Sequence, residues 1–282
     1  MRKWVDKYLS EIADEDNRVR LLIADVGDFP IFRKFHPDKF VNVGVSETNC
    51  INVAAGMAAH GLRVFVYGVS SFFLYRAFEQ LKYSIAYWHQ PITFIGVGFG
   101  WKYYNIGNGH FSPDDIAICR LLPNMKILTP FCLSQLKQQL NNCSIDSLAY
   151  LRITANIVDD IYDKYCEFDN ITQSIIVSYG EMSQVAIEVH DNTHSTTGIY
   201  LLSDISEIAI EKLSFRLKGR TIITIEDQCY QGSISCLLSK FGISSLKSFL
   251  LPIMPLGVVK SRKDLYSLYH LDSESIIKAL NI

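Results

Sequence analysis

The chain has no Cys-x-x-Cys pair, although it carries 7 cysteines, at positions 50, 119, 132, 143, 166, 229 and 236. An odd count without metal-ligand spacing argues against a disulfide framework or a zinc site and suits reduced, buried thiols in a cytoplasmic protein. Neither charge is in excess. With 27 Lys and Arg against 29 Asp and Glu, the formal net charge of −2 gives no electrostatic reason to expect nucleic acid or an anionic membrane surface as a partner. Long apolar runs are missing too: the stretch from Ile85 to Trp101 is broken by His89, Gln90 and Pro91, whereas a membrane span needs roughly 20 nearly uninterrupted apolar residues. Met1 to Ser10 lacks the apolar centre of a secretory signal, and no internal repeat or low-complexity segment is visible.

What remains is an ordinary globular composition, 282 residues of which 49% are hydrophobic and 20% charged, with length for about two domains. Short β-branched or apolar runs alternate with amphipathic stretches. Strands are expected at Arg20–Val26, Phe40–Val45, Leu62–Gly68, Pro91–Val97, Lys126–Thr129 and Leu148–Arg152, and helices at Thr48–His60, Ser71–Trp88, Pro113–Leu122 and Leu133–Asn142. Strands this short and apolar suit a parallel sheet covered on both faces. Gly61 stands where a left-handed helix cap belongs. The acidic stretch Thr154–Gln173 has neither period and is expected to be a connection. Alternation then resumes: strands Ser174–Ser178, Gly198–Leu202, Arg220–Ile225 and Leu246–Leu251, helices Glu181–His190, Glu207–Phe215 and Ser233–Phe241, and a helical tail from Lys263. The fold class is α/β, two consecutive parallel-sheet domains over residues 1–155 and 174–282, joined by a linker at 156–173.

Ligand sites in such sheets lie beyond the carboxyl ends of the strands. The first half carries unusual residues at those corners: Asp25, Glu47, Phe73 with Arg76, and His110. Each has an ordinary structural explanation. An acid at a helix start complements the dipole, an aspartate forms turns, a phenylalanine packs in a core, an arginine pairs with Glu79, and a histidine beside glycine sits in a turn. Arg152, at a strand end, suits a phosphate through paired N–H groups or an ion pair with a linker acid.

Their order carries more than any one of them. Val43-Gly44-Val45-Ser46-Glu47 is followed by Ala54-Ala55-Gly56-Met57-Ala58-Ala59, Phe73-Leu74-Tyr75-Arg76-Ala77-Phe78-Glu79-Gln80, Gly109-His110 and Arg120-Leu121-Leu122-Pro123-Asn124-Met125 with Thr129-Pro130. From about Ala24 to Arg152 this series resembles the pyrimidine-binding domain of the transketolase family, which includes deoxyxylulose phosphate synthase. Ser178-Tyr179-Gly180-Glu181-Met182 and Ile225-Glu226-Asp227 with Gly232 resemble the family's C-terminal domain more loosely.

The resemblance implies thiamine diphosphate and Mg²⁺ as cofactors and transfer of a two-carbon ketol unit between sugars. It makes Glu47 the carboxyl that hydrogen-bonds the cofactor pyrimidine at N1′ and drives the tautomer shift by which the 4′-amino group becomes a base. It makes Phe73 the ring on the pyrimidine face, Asp25 and Arg76 neighbours of the cofactor, His110 a stabiliser of alkoxide charge on the substrate, and Arg152 a substrate-phosphate ligand. Asp115 and Arg120 follow His110 at the family's intervals.

The departures matter as well. The family's Gly-Asp-Gly motif, which holds the diphosphate and metal on a preceding domain, has no counterpart; Gly27-Asp28 is followed by Phe29. A separate N-terminal subunit is therefore expected to complete both cofactors, with a homodimer of this chain inside an α2β2 heterotetramer. Ile106 occupies a position where the family often has an acid, and Gly109 replaces a threonine, which points away from ordinary ketose phosphates as donors. A 2-oxoacid dehydrogenase β-subunit, a deoxyxylulose-phosphate-synthase-like enzyme and a noncatalytic module are the competing expectations.

Overall fold

The computed structural model describes residues 1–107, 109–155, 157–158, 165, 172–193, 197–253 and 261–280. Its strands divide between two sheets in which every pairing is parallel. The first runs in the order β2-β1-β3-β4-β6-β5, built from β1 (Val19–Ile23), β2 (Phe40–Asn42), β3 (Arg63–Val69), β4 (Ile92–Val97), β5 (Lys126–Leu128) and β6 (Ala149–Arg152). The second, β10-β9-β7-β8, uses β7 (Ser174–Tyr179), β8 (Thr197–Leu202), β9 (Thr221–Ile225) and β10 (Leu246–Phe249). The two central strands β3 and β4 are buried along their whole length, as unbroken apolar runs covered by helices on both faces require.

In the first domain, α3 (Glu47–Ala59) covers one face and α1 (Arg2–Glu15) with α6 (Leu133–Asn142) the other. Helix α3 ends where Gly61, at φ +80°, lets Gly61 N reach Ala58 O (2.9 Å) and Leu62 N reach Met57 O (3.2 Å); these bonds satisfy two of the carbonyls a helix end leaves free. Helix α1 lies outside the expected elements. It buries Val5, Leu9 and Ile12 in the core. The buried Asp6 carboxylate accepts from Ile31 N (3.0 Å) and Phe32 N (2.9 Å), closing the start of α2 (Pro30–Phe35), a second helix the alternation does not predict. The stretch expected as one helix over Ser71–Trp88 is instead three short pieces, α4 (Phe78–Gln80) between π-helical stretches Phe72–Arg76 and Leu81–Ala86. Helix α5 (Asp115–Cys119) is shorter than expected, while α6 matches its expected range.

In the second domain, α7 (Ser183–Thr193), α8 (Glu207–Leu217) and α9 (Ile234–Lys240) join the strands, and α10 (Arg262–Leu268) and α11 (Ser273–Leu280) follow. Most of the expected linker 156–173 lies outside the described residues. The domains dock directly. Thr129 N donates to Ser203 O (2.8 Å), Ile205 N to Ile127 O (2.9 Å) and Cys229 N to Pro113 O (2.7 Å), and one apolar cluster runs from Leu22 through Ile127 to Ile175 and Ile234.

Strand order reverses between β1 and β3 in one sheet and between β7 and β9 in the other. Each reversal sends the flanking connections to opposite faces and leaves a crevice at the strand ends. Asp25 and the Ser70–Arg76 segment follow β1 and β3; Gly180 and Glu226 follow β7 and β9.

Candidate active site

Two turns position the start of α3. Asn42, the last residue of β2, accepts with Oδ1 from Asp25 N (3.0 Å) and Gly44 N (3.0 Å), and its Nδ2 donates to Asp25 Oδ1 (3.2 Å). Asp25 is held at φ +55° and Gly44 at φ +76°, left-handed conformations that Asp and Gly tolerate best. Asp25 is thus a surface carboxylate tied into a turn beside the crevice. Glu47 opens α3 and is buried, only 6% exposed, while its neighbour Val45 is 75% exposed. Burial of a carboxylate is costly unless it is bonded, and the helix start and one guanidinium offset that cost: Arg76 Nη1 donates to Glu47 Oε1 at 3.3 Å. Among the described residues no hydrogen bond is made to Oε2. One turn along α3, Cys50 has its thiol pushed up to about 12 by burial, with the Glu47 carboxylate adding to the effect.

The segment after β3 supplies the other wall. Gly68 leaves room that a Cβ would fill, 2.1 Å from the Phe73 ring. Phe73 consequently turns inward, fully buried against Phe94 at 5.1 Å between ring centroids. The ring facing the site is Phe72: Arg76 lies over it at 4.4 Å, and His110 meets it edge-on at 5.1 Å. Spacing does not separate two adjacent phenylalanines, and the strand glycine beneath Phe73 is the signal in the sequence that does. The π-helical winding at Phe72–Arg76 is a form that recurs at functional sites. His110 is half-buried, and its loop is pinned to the same segment because Ser71 Oγ donates to Gly109 O at 2.7 Å. Next to Arg76, the Tyr75 hydroxyl donates to Asp114 at the start of α5; burial and that carboxylate push the phenol well up.

Glu47, Arg76, Phe72 and His110 are therefore drawn together, with Asp25 on the adjoining turn. Arg152 is not. It is 1% exposed, and its Nε and Nη2 donate to Asp115 at 2.8 and 3.3 Å while Nη1 reaches Asp227 Oδ1 at 3.3 Å. Asp115 also accepts from the Tyr150 hydroxyl (2.5 Å) and from the Gln228 amide. The expected phosphate ligand is instead the centre of a buried ion network between the domains, because two carboxylates already fill the donor fork a phosphate would need.

The donor set suits one end of a heteroaromatic cofactor: a buried carboxyl with one uncommitted oxygen, an aromatic wall, and a histidine at the rim. Among the described residues no three His, Cys, Asp or Glu side chains gather in a metal-binding arrangement, and no helix is long and apolar enough to cross a membrane.

A family model for the transketolase pyrimidine-binding domain matches residues 1–153. Among similar proteins, one of the subunits of the apulose-4-phosphate transketolase of Phocaeicola vulgatus is 26% identical over 98% of this chain and 95% of its own length. The 1-deoxy-D-xylulose-5-phosphate synthase of Clostridium kluyveri is 26% identical over 94% of this chain, which spans only 46% of that enzyme. A solved structure described as a split gene transketolase, in an inactive β4 tetramer, has a similar fold, with a TM-score of 0.83 at 22% identity over 99% of this chain and 96% of that one.

Proposed function

Because the chain belongs to the transketolase family through the pyrimidine-binding domain of residues 1–153, we propose that it is the C-terminal subunit of a split, thiamine-diphosphate-dependent enzyme that transfers a two-carbon ketol unit between phosphorylated or otherwise activated sugars. The observation that carries this reading is the buried Glu47 carboxyl, bonded by Arg76 through one oxygen and free at the other, beside Phe72 and His110.

Bound thiamine diphosphate supplies a nucleophilic carbon for making and breaking C–C bonds. Glu47 Oε2 would be the atom that hydrogen-bonds the pyrimidine at N1′, and the low exposure of the carboxyl would strengthen that bond. Arg76 keeps Oε1 engaged, so the other oxygen is the one presented. Phe72 takes the packing role expected of Phe73, and Asp25 borders the cofactor from the β1 turn. His110 donates to oxygen where alkoxide charge grows on the substrate. Support for the sugar-phosphate class is the apulose 4-phosphate in the name of the Phocaeicola relative. With Arg152 buried, a substrate phosphate is met by other groups, on this chain or its partner.

The diphosphate and Mg²⁺ belong to a separate N-terminal subunit in this reading. Its support is that the Phocaeicola relative, itself one subunit of its enzyme, is matched nearly end to end, whereas the Clostridium kluyveri synthase is matched over about half its length. The assembly proposed is α2β2, a two-fold dimer of this chain flanked by two partner subunits. A cytoplasmic setting fits the six described cysteines, none of which is in a disulfide.

Titration calorimetry tests the split. With Mg²⁺ present, thiamine diphosphate is expected to bind tightly to this chain reconstituted with a partner carrying Gly-Asp-Gly and a downstream Asn, and weakly to either chain alone. Tight binding of the whole cofactor by this chain in isolation overturns the proposal.

A further inference from the structure

The loop that carries His110 leaves β4 and closes on itself. Gly100 N donates to Ser112 O and Ser112 N to Gly100 O, both at 3.0 Å, so the chain between them forms one excursion with a fixed base. Its two feet are apolar and buried: Trp101 is 0% and Phe111 4% exposed. Neither foot packs into the core of its own sheet. Both belong to the cluster of Ile176, Ile223, Leu265 and Leu271 in the second domain. Tyr269, in the turn between α10 and α11, meets the Trp101 ring edge-on at 4.7 Å between centroids, closer than Phe111 does at 6.4 Å. That turn is itself fixed, since Tyr269 N donates to Leu265 O (3.2 Å) and Leu271 N to Tyr266 O (2.8 Å).

The second domain also comes close to the same foot beside Trp101. Gly100 stands at φ +54°, and a Cβ there would lie 2.8 Å from Asp227 Oδ2, at the end of β9. Between these anchored feet the tip is uncovered: Asn105, Ile106, Gly107 and Gly109 are exposed. His110 directly precedes the Phe111 foot, so its edge-on contact with Phe72 depends on where that foot is held as well as on the Ser71 bond to Gly109 O.

We infer that Tyr269 is a positioning residue for His110, acting through the Trp101 foot, and that the second domain thereby influences the geometry of a site built on the first. The functional meaning rests on the proposed role of His110, but the coupling of loop to C-terminal turn is a separate claim with its own test. Were the contact ordinary core packing, its loss would loosen the second domain evenly. Were it a brace, the loss would appear first and most at the loop, across the domain boundary.

Residue-resolved hydrogen exchange on the full chain distinguishes these without any substrate. In Tyr269→Ala, the hydrogen-bonded loop amides of Lys102, Tyr104, Ile106, Gly107 and His110 are expected to exchange at least about tenfold faster, with those of β3 and of β7 to β9 nearly unchanged. Tyr269→Phe, which keeps the ring, is expected to restore wild-type protection. Trp101→Phe, a milder change at the other side of the contact, should give the same localised pattern at smaller amplitude and serves if the alanine variant does not fold. No acceleration at those loop amides, or equal acceleration through the second domain, overturns the inference. Because exchange is read without cofactor or partner, neither outcome depends on the split-enzyme reading.

Discussion

At the scale of single residues, Glu47 and the side chains that hold it decide what the site can do. Arg76 is 57% exposed at its side chain, so its ion pair with Glu47 contributes less than about 1 kcal/mol to folding. Arg76→Ala is therefore expected to move the thermal midpoint by no more than about 3 °C. The same change should weaken thiamine diphosphate binding to the reconstituted pair by roughly tenfold, since the carboxyl loses the partner that orients it. Unchanged affinity in calorimetry reduces Arg76 to a surface ion pair. The thiols provide a second residue-level test. Burial pushes Cys50 up to about 12 and Cys143 to about 11, from 9.0 when solvated. A thiol raised in the folded state keeps its stabilising effect below pH 9 and loses it as pH climbs through the folded value, so stability should fall from about pH 9 upward. Alkylation at pH 8 followed by peptide mapping should label half-buried Cys236 while sparing Cys50 and Cys143 until denaturant is added. Comparable labelling of Cys50 in the native chain contradicts the burial described here. Glu47 and His110 could be singled out because their order along the chain is informative. Phe72 is hidden beside Phe73, and the Arg152 network is hidden because Asp115 and Asp227 lie 37 and 75 residues away in sequence.

At the scale of elements, glycines in strands decide which rings face the site. Gly68→Ala would drive a Cβ into the Phe73 ring, and overpacking of this kind costs about 1–3 kcal/mol. The displaced ring lies next to Phe72 in the π-helical turn that also carries Arg76, so cofactor affinity should drop together with the thermal midpoint. A midpoint equal to wild type rejects the packing described for Phe73. The strands and most helices could be read from the sequence because buried parallel strands are continuous apolar runs and the helices between them are amphipathic. The exceptions have local causes. Helix α1 shows a clean apolar face of Val5, Leu9 and Ile12, but it precedes the first strand, outside the alternation that frames the reading. The segment after β3 has a helical pattern, and pattern alone does not distinguish α from π winding. Strand β2 stops after Asn42 because the backbone turns left-handed at Gly44 and, opposite it, at Asp25, a geometry the Asn42 side chain holds.

For the molecule as a whole, the two sheets meet through a charged centre as well as an apolar one. Arg152 stands between Asp115 and Asp227, all three buried. Removing the guanidinium leaves two uncompensated carboxylates, a loss of about 3–5 kcal/mol. Arg152→Leu is accordingly expected to lower the midpoint by roughly 10 °C; a phosphate ligand at a site rim would show no such penalty, and an unchanged midpoint would restore that role. The two-domain α/β plan was visible in the alternation and its interruption, whereas the docking of the domains was not, since it depends on contacts such as Trp101 with Tyr269 that no local pattern encodes.

The most direct measurement is deuterium exchange at the thiazolium C2 of thiamine diphosphate bound to the reconstituted pair, followed by quenched-flow NMR for wild type and Glu47→Gln. If Glu47 drives cofactor activation, the variant still assembles and binds but exchanges slower by about 10²–10⁴. Exchange at the wild-type rate in an assembled Glu47→Gln complex contradicts the central claim.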